Sequence, residues 1–563
     1  MRDLSDVNKK GIQVSIFAQS WEAADEPATG DISIAPPEEL SVDVLVVGGG
    51  VGGLMAAYRA RTEGARVALL SGSSGASDRI SSMNTALGYD ADDSPAALFD
   101  DMYRAGGYVN DPSVAAALAR RIGPEVLELE RLGVPFHRAG EHLARRQAAG
   151  STSTRAVYTL GLVGVDVART LLQVLSASEG NFVRLAGAKA VDLLRDDDGR
   201  AAGALVYSPR ERRWLVVHSA AVVLATGGAG QLFARTTNPR GSVGTGQAMA
   251  LEMGAQLADM EFVSFEPFVT SRDTGAAWHD LPTTVLREGA RIRNGLGQEF
   301  LDLGSPLTKD IICRAMVREV MEGRGTPTGG VLYDIREMDP EVVDRYVQVK
   351  EALRSYGVSA SAAQFEVSPA QHFLMGGVKI DSTGATTVPG LFAVGEVAAG
   401  AHGAHRLAAG GGMEVVAGGA IAGQNAARCG LDAGPGASVA PASPRPAVLA
   451  APQSARSERL MTRIRTALDH GCGILRTGAA LTETVAELSE IQSELTGADE
   501  DTFLLRGTRV AMAVAESARL REESRGDHWR VDFPQRDDVE WLCNLVATLD
   551  DDGNVSVRPT ARA

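Results

Sequence analysis

The chain has 563 residues, 44% apolar and 22% charged, the composition of an ordinary folded protein and too long for a single core. Its 71 acidic and 55 basic side chains give a net charge of −16, a sign that repels nucleic acid and anionic lipid and excludes partners of those kinds. The four cysteines, Cys313, Cys429, Cys472 and Cys543, have no CxxC spacing, which argues against a metal cluster built from this chain alone and against a disulfide framework, and fits a reducing cytoplasm.

Residues 1–41 read as a polar arm. Asp3, Asp6, Lys9 and Lys10 precede any apolar stretch, which is not a signal-peptide pattern, and no later segment reaches the ~18 consecutive apolar residues of a membrane span. The first structured segment runs from Asp43 through an apolar strand into Gly48-x-Gly50-x-x-Gly53 and then the helical pattern Leu54–Arg61. That is a dinucleotide-binding turn: Gly50 lets backbone approach a pyrophosphate, and the first helix amides, from Val51, Gly52 and Gly53, face its charge. A second strand, Arg66–Ser71, follows at βαβ spacing. NAD-binding units usually place Asp or Glu after it; Ser71 and Gly72 stand there instead, which leans against NAD and leaves FAD open.

Helical spacing returns over Ser113–Leu132, then strand-like runs at Phe182–Leu185, Ala202–Tyr207 and Ala221–Ala225. The last empties into a second glycine turn, where Ala225, Thr226, Gly227 and Gly228 bring backbone close to a cofactor. Residues 256–363 are mixed, with helices predicted at Lys309–Glu322 and Glu341–Tyr356, and read as an inserted cap. The nucleotide-binding pattern resumes at Val388–Glu396, a turn and short strand ending in Gly395-Glu396, and leads past Gly411 and Gly412 into a helix over Met413–Cys429. A Pro/Ala-rich linker precedes three amphipathic helices, Glu458–Leu468, Leu481–Leu495 and Leu504–Glu522, read as a separate bundle packed on the rest. The expected division is an arm (1–41), a nucleotide-binding domain in two parts (42–255 and 364–433), a capping domain (256–363), a linker (434–452) and a C-terminal helical domain with tail (453–563).

Several separated blocks carry a resemblance: the Gly48 turn, Ala225–Gly228, Asp259-Met-Glu-Phe262, Gln371–Gly377, Val388–Glu396, His402-Gly-Ala-His-Arg406, Cys472–Gly478, and Glu523–His528 before Asp532-Phe-Pro534. Over roughly residues 42–545 the chain resembles the flavoprotein family of succinate dehydrogenase, fumarate reductase and L-aspartate oxidase. The resemblance implies an α/β fold: a two-dinucleotide-binding, glutathione-reductase-like FAD domain, interrupted by a mobile α+β cap and followed by a helical bundle. It places the active site where cap and flavin domain meet, with the helix at Met413 beginning under the flavin ring. Members that bind FAD covalently use a histidine in the loop after the second strand; residues 73–86 hold none, and Asp78 stands at that place, so FAD is expected to be non-covalent.

By the same resemblance, His372 and Arg406 fall on positions that bind the substrate carboxylate, a task suited to arginine's planar fork. His402 and His405 flank that turn, and His405 replaces the family's usual asparagine. Glu266 replaces a histidine that holds the far end of a dicarboxylate; a carboxylate there disfavours succinate in the family's pose and suits an ammonium or hydroxyl. A local pairing of Glu266 with Arg287, Arg291 or Arg293 stays open. Lys309 takes the place of the family's proton-transferring arginine and is a candidate general base, with a solvated lysine at a helix start as the alternative. Arg291 closes a retained Glu-Gly-x-Arg segment and joins the catalytic candidates.

The expected function is FAD-dependent oxidation of a small carboxylate-bearing substrate, an amino acid or related compound, by hydride transfer to flavin N5 and reoxidation by O2 or another acceptor. Three alternatives remain at this level: N-oxygenation of an amine by the same flavin, succinate/fumarate-type C–C desaturation or reduction, and a catalytically silent FAD-binding subunit. The chain has no obvious means of reaching a membrane quinone by itself, and a homo-oligomer is open.

Overall fold

The computed structural model describes residues 37–72, 75–177, 180–270, 279–304, 307–433, 454–495 and 502–560. The linker expected at 434–452, and the arm before residue 37, lie outside the described residues.

Strand β1 (Val44–Val47), helix α1 (Val51–Thr62) and strand β2 (Val67–Ser71) form the first βαβ unit, with β3 (Phe182–Ala186) and β4 (Ala221–Leu224) following. The chain then leaves for a second lobe: β5 (Val263–Thr270), β6 (Arg291–Arg293), helix α2 (Lys309–Met321), β7 (Val331–Asp334) and β8 (Gln364–Leu374). It returns through β9 (Leu391–Ala393) and helix α3 (Gly410–Ala433). Helices α4 (Ala455–Gly471), α5 (Gly478–Leu495) and α6 (Thr502–Leu520) and a hairpin of β10 (Asn544–Leu549) and β11 (Val555–Thr560) complete it.

The central sheet has the order β9-β4-β1-β2-β3 and every pairing in it is parallel. Strands β1, β2, β4 and β9 are near-continuous apolar runs because both their faces are covered, whereas β3 at the edge is largely exposed. Along β1, Val44 and Val46 enter one core with α1 and α3, while Leu45 and Val47 enter another, the period-two alternation of an extended strand. Helix α3 lies so close on α1 that a Cβ at Gly423 would stand 2.2 Å from the Ala56 carbonyl oxygen.

The second lobe is a separate antiparallel sheet, β5-β8-β7-β6, with its own core of Phe268, Ile312, Met316, Tyr333 and Phe365. The segments entering and leaving it touch: a Cβ at Gly376 would stand 2.4 Å from the Asp259 carbonyl oxygen.

Three expectations differ from the structure. The predicted helix Glu341–Tyr356 is two helices, Pro340–Val343 and Val347–Tyr356, broken where Tyr346 turns extended and its hydroxyl donates to Glu288 at 2.7 Å. Helix α3 begins at Gly410, three residues early. The C-terminal helices pack on the central sheet: Leu460, Ile464, Leu488 and Val510 share one apolar cluster with its Leu45 and Val222. Residues 38–41, expected within the arm, pair as a strand with Arg213–His218, and β10 pairs with Leu257–Ala258. No helix among the described residues is long and apolar enough to cross a membrane.

Candidate active site

The carboxyl ends of parallel strands in an open α/β sheet form the usual ligand crevice. Here the first glycine turn leaves β1 and the second leaves β4, and they meet: Gly48 has φ +123°, and a Cβ on it would lie 2.1 Å from the Ala225 carbonyl oxygen. Gly50 caps α1 without a side-chain bond, and Leu54 is the first residue to close a helical bond back to it, at 3.0 Å. Gly52 and Gly53 therefore lie in the turn whose amides are free for an anion. The amide of Val51 is already used, donating to Ser77 Oγ at 2.9 Å. Ser71 is buried, its hydroxyl accepting from Arg184 Nε at 2.8 Å, while Gly72 faces open space.

On the other side, Thr226 Oγ1 is buried without a partner, and Gly227 (φ +78°) and Gly228 carry the chain past Glu396. Gly395 precedes Glu396 at the end of β9. Glu396 accepts from the Leu374 amide at 3.0 Å, and burial pushes its carboxyl up to about 8, so it keeps a proton at neutral pH and can also donate. At the start of α3, Gly411 lies under the Arg406 guanidinium, Gly412 touches Met83, and Met413 is fully buried. Two further buried polar atoms, Asn84 Oδ1 and Arg406 Nε, lack partners. Unpaired buried polar groups call for a ligand, and this crevice of glycine backbone, free amides and orphan side-chain atoms fits a group with a pyrophosphate and a polar chain, as in FAD.

Beside the crevice, at the seam with the second lobe, four predicted residues converge. Glu266 is on β5, His372 on the paired strand β8, Lys309 opens α2, and Arg406 precedes α3. Glu266 is 5% exposed and accepts from Lys309 Nζ; the same oxygen, Oε2, is 3.9 Å from His372 Nε2. Burial raises the Glu266 carboxyl, with Lys309 the largest opposing influence. His372 Nδ1 lies 2.8 Å from Thr237 Oγ1, and burial first, then Lys309 and Arg406, hold its imidazole well below the ordinary value. His372 is thus neutral at physiological pH, a donor or acceptor but not a cation. The Arg406 guanidinium stacks on Phe373, Cζ 4.5 Å from the ring centre, and burial lowers its pKa, with Glu414 the largest opposing influence.

Lys309 is the observed partner of Glu266; Arg291 and Arg293 instead face Glu299 at 3.8 and 3.0 Å. They sit on β6, at the opposite edge of the sheet from β5, three strand spacings or ~14 Å away, so the structure does not bring Arg291 to the other four. Support missing from the sequence reading comes from the run after the second glycine turn. Asn238 Nδ2 donates to the His372 carbonyl at 2.8 Å and Thr237 N to that of Gln371 at 2.9 Å, fixing β8 beside the crevice. The signal was a polar cluster, Thr236-Thr237-Asn238, between apolar segments. His402, close to Arg406, is tied to Glu414 by Nε2···Oε2 at 3.0 Å.

Residues 43–411 match the family model described as an FAD binding domain, and residues 504–561 match that of the fumarate reductase flavoprotein C-terminus. The L-aspartate oxidase of Streptomyces coelicolor is 32% identical over 93% of this chain and 94% of its own. The fumarate reductase flavoprotein subunit of Mycobacterium tuberculosis is 31% identical, over 83% and 87%. Among solved structures, Escherichia coli quinol fumarate reductase FrdA aligns with a TM-score of 0.80 at 28% identity, over 93% of this chain and 97% of that one. Mycobacterium smegmatis Sdh1 aligns at 0.82 and 28%, over 93% and 95%. These likenesses run through both lobes and the C-terminal helices, so the architecture is that of an FAD domain with an inserted cap and a C-terminal helical region.

Proposed function

Because the chain belongs to the family of FAD-dependent oxidoreductases that includes L-aspartate oxidase and the fumarate reductase and succinate dehydrogenase flavoproteins, we propose that it oxidises the C–N bond of an amino acid. FAD is its cofactor, and when bound it supplies a two-electron acceptor beside the substrate; with Asp78 at the attachment position, the flavin is held without a covalent bond.

The observation that carries this reading is the Glu266–Lys309 pair lodged between His372 and Arg406. Arg406 receives the substrate carboxylate bidentately, and neutral His372 adds a hydrogen bond from Nε2 when Thr237 donates to Nδ1. That clamp sets the substrate over the flavin crevice with its amine toward Glu266. An ammonium suits a buried carboxylate, whereas the second carboxylate of succinate placed there would meet like charge. Lys309 is engaged as a donor to Glu266 and is not free to take the substrate's proton. The base assigned to Lys309 on sequence therefore becomes Glu266: Oε2 accepts the proton of the substrate ammonium, leaving the neutral amine whose lone pair assists loss of hydride from Cα, and Lys309 keeps Glu266 ionised beforehand.

Glu266→His tests the reading. The wild-type flavin is expected to be reduced anaerobically by L-aspartate and not by succinate, and the substitution to lower the first rate by at least ~100-fold while tightening the binding of succinate. An aspartate rate unchanged in Glu266→His would remove Glu266 from the reaction.

A further inference from the structure

His405 stands next to Arg406 yet has no part in the clamp described above. Its Nδ1 lies 2.9 Å from Asp527 Oδ2. Asp527 arrives from the turn beyond α6, pinned to the His402–Arg406 loop by its amide, which donates to the Ala404 carbonyl at 2.9 Å; Gly526 (φ +55°) packs so close that a Cβ would lie 2.2 Å from the same oxygen. The Asp527 side chain is 5% exposed, whereas His405 keeps 23% of its side-chain surface. With Nδ1 held by Asp527, the ring directs Nε2 to the opposite side. The charged groups facing the imidazole are Asp527 from the C-terminal segment, Asp310 from α2 and Arg406 from its own loop. Burial and Arg406 disfavour the cation, the two carboxylates outweigh them, and the ring titrates above its ordinary value. The pairing with Asp527 thus favours the imidazolium, which is lost as pH rises through the raised value.

Charge arithmetic at the seam gives this cation a use. Arg406 is committed to the α-carboxylate, Lys309 is neutralised by Glu266, and His372 is uncharged. A second acidic group on a substrate is repelled from Glu266 and finds its complement at His405. We propose that the His405–Asp527 pair is a specificity device: His405 binds the second acidic group of an amino-dicarboxylate, and Asp527 positions His405. The proposal rests on the amino-acid reading above and locates acid recognition at a position that the family fills with asparagine.

The test uses the full-length, flavin-loaded protein with His405→Asn and Asp527→Asn. Succinate and its mono-acid counterpart butyrate are titrated against the flavin spectrum, and anaerobic reduction by L-aspartate is compared with that by L-alanine. For His405→Asn, succinate binding and the apparent affinity for L-aspartate should weaken about 10- to 100-fold, with butyrate and L-alanine changed less than about twofold. Asp527→Asn should leave FAD content intact and move the alkaline limit of succinate binding to lower pH, a displacement that a purely structural role would not produce. Equal weakening for mono- and diacid in His405→Asn, or an unmoved alkaline limit in Asp527→Asn, overturns the proposal. Reduction of the wild type by L-alanine as readily as by L-aspartate sinks it while sparing the amino-acid reading; reduction by no amino acid sinks both.

Discussion

Lys309→Met would leave Glu266 buried without the cation that counters its desolvation. The carboxyl, already raised by burial, would rise further. Since the ionised form is the one that accepts a proton, activity would be lost at higher pH as the medium is acidified. The acidic limb of the flavin-reduction rate should therefore move to higher pH in Lys309→Met, and an unmoved limb contradicts the pairing. Arg406→Ala removes a bidentate charge-assisted contact and should slow reduction on the order of 100-fold or more while FAD stays bound; the ratio of flavin to protein absorbance checks retention. Glu266, Lys309, His372 and Arg406 were legible as departures from, or matches to, the family blocks. Their partners were not, because Glu266 and Lys309 are 43 residues apart and His405 and Asp527 122, distances that no local pattern spans.

At the level of elements, periodicity located β1, β2, β4 and most helices to within a few residues, because each buries a full face and its apolar spacing must follow. It failed where packing overrode propensity. Gly410, Gly411 and Gly412 are poor helix formers, yet they open α3 because Gly412 is pressed against Met83 and Ser82 with no room for a side chain. The same competition decides Gly423→Ala. Alanine favours the helix by ~1 kcal/mol, but its Cβ would stand 2.2 Å from the Ala56 carbonyl oxygen, and such overpacking costs ~1–3 kcal/mol. A net loss of stability is expected, read as a lower urea midpoint; a raised midpoint would show that α3 moves off α1 freely.

Across the whole molecule, the C-terminal segment ties the lobes together. Arg521, fully buried, donates from Nε to Glu261 at 2.7 Å and from Nη1 to Glu523 at 2.8 Å. Arg476, also fully buried, donates to the Glu261 carbonyl oxygen at 2.6 Å. Glu261 lies on the segment leading into the second lobe, so these arginines fix the point from which the cap departs. The sequence hid this because β10 and the Arg521–Arg530 stretch meet their partners more than two hundred residues upstream. Arg521→Met would strand the buried Glu261 carboxylate, while Glu523 keeps Arg525, at a cost of ~3–5 kcal/mol, measurable by urea unfolding of the flavin-loaded protein; a loss under ~1 kcal/mol would mean that this network does not hold the lobes. At the opposite side of the seam, Arg79 of the nucleotide-binding lobe meets Asp280 of the cap at 2.9 Å, an exposed pair worth little on its own. What the assembled lobes are built to do is tested most directly by mixing the flavin-loaded protein with L-aspartate in the absence of oxygen. Bleaching of the flavin with one equivalent of amino acid oxidised per flavin is the predicted result; a flavin that stays oxidised against L-aspartate and other L-amino acids contradicts the account.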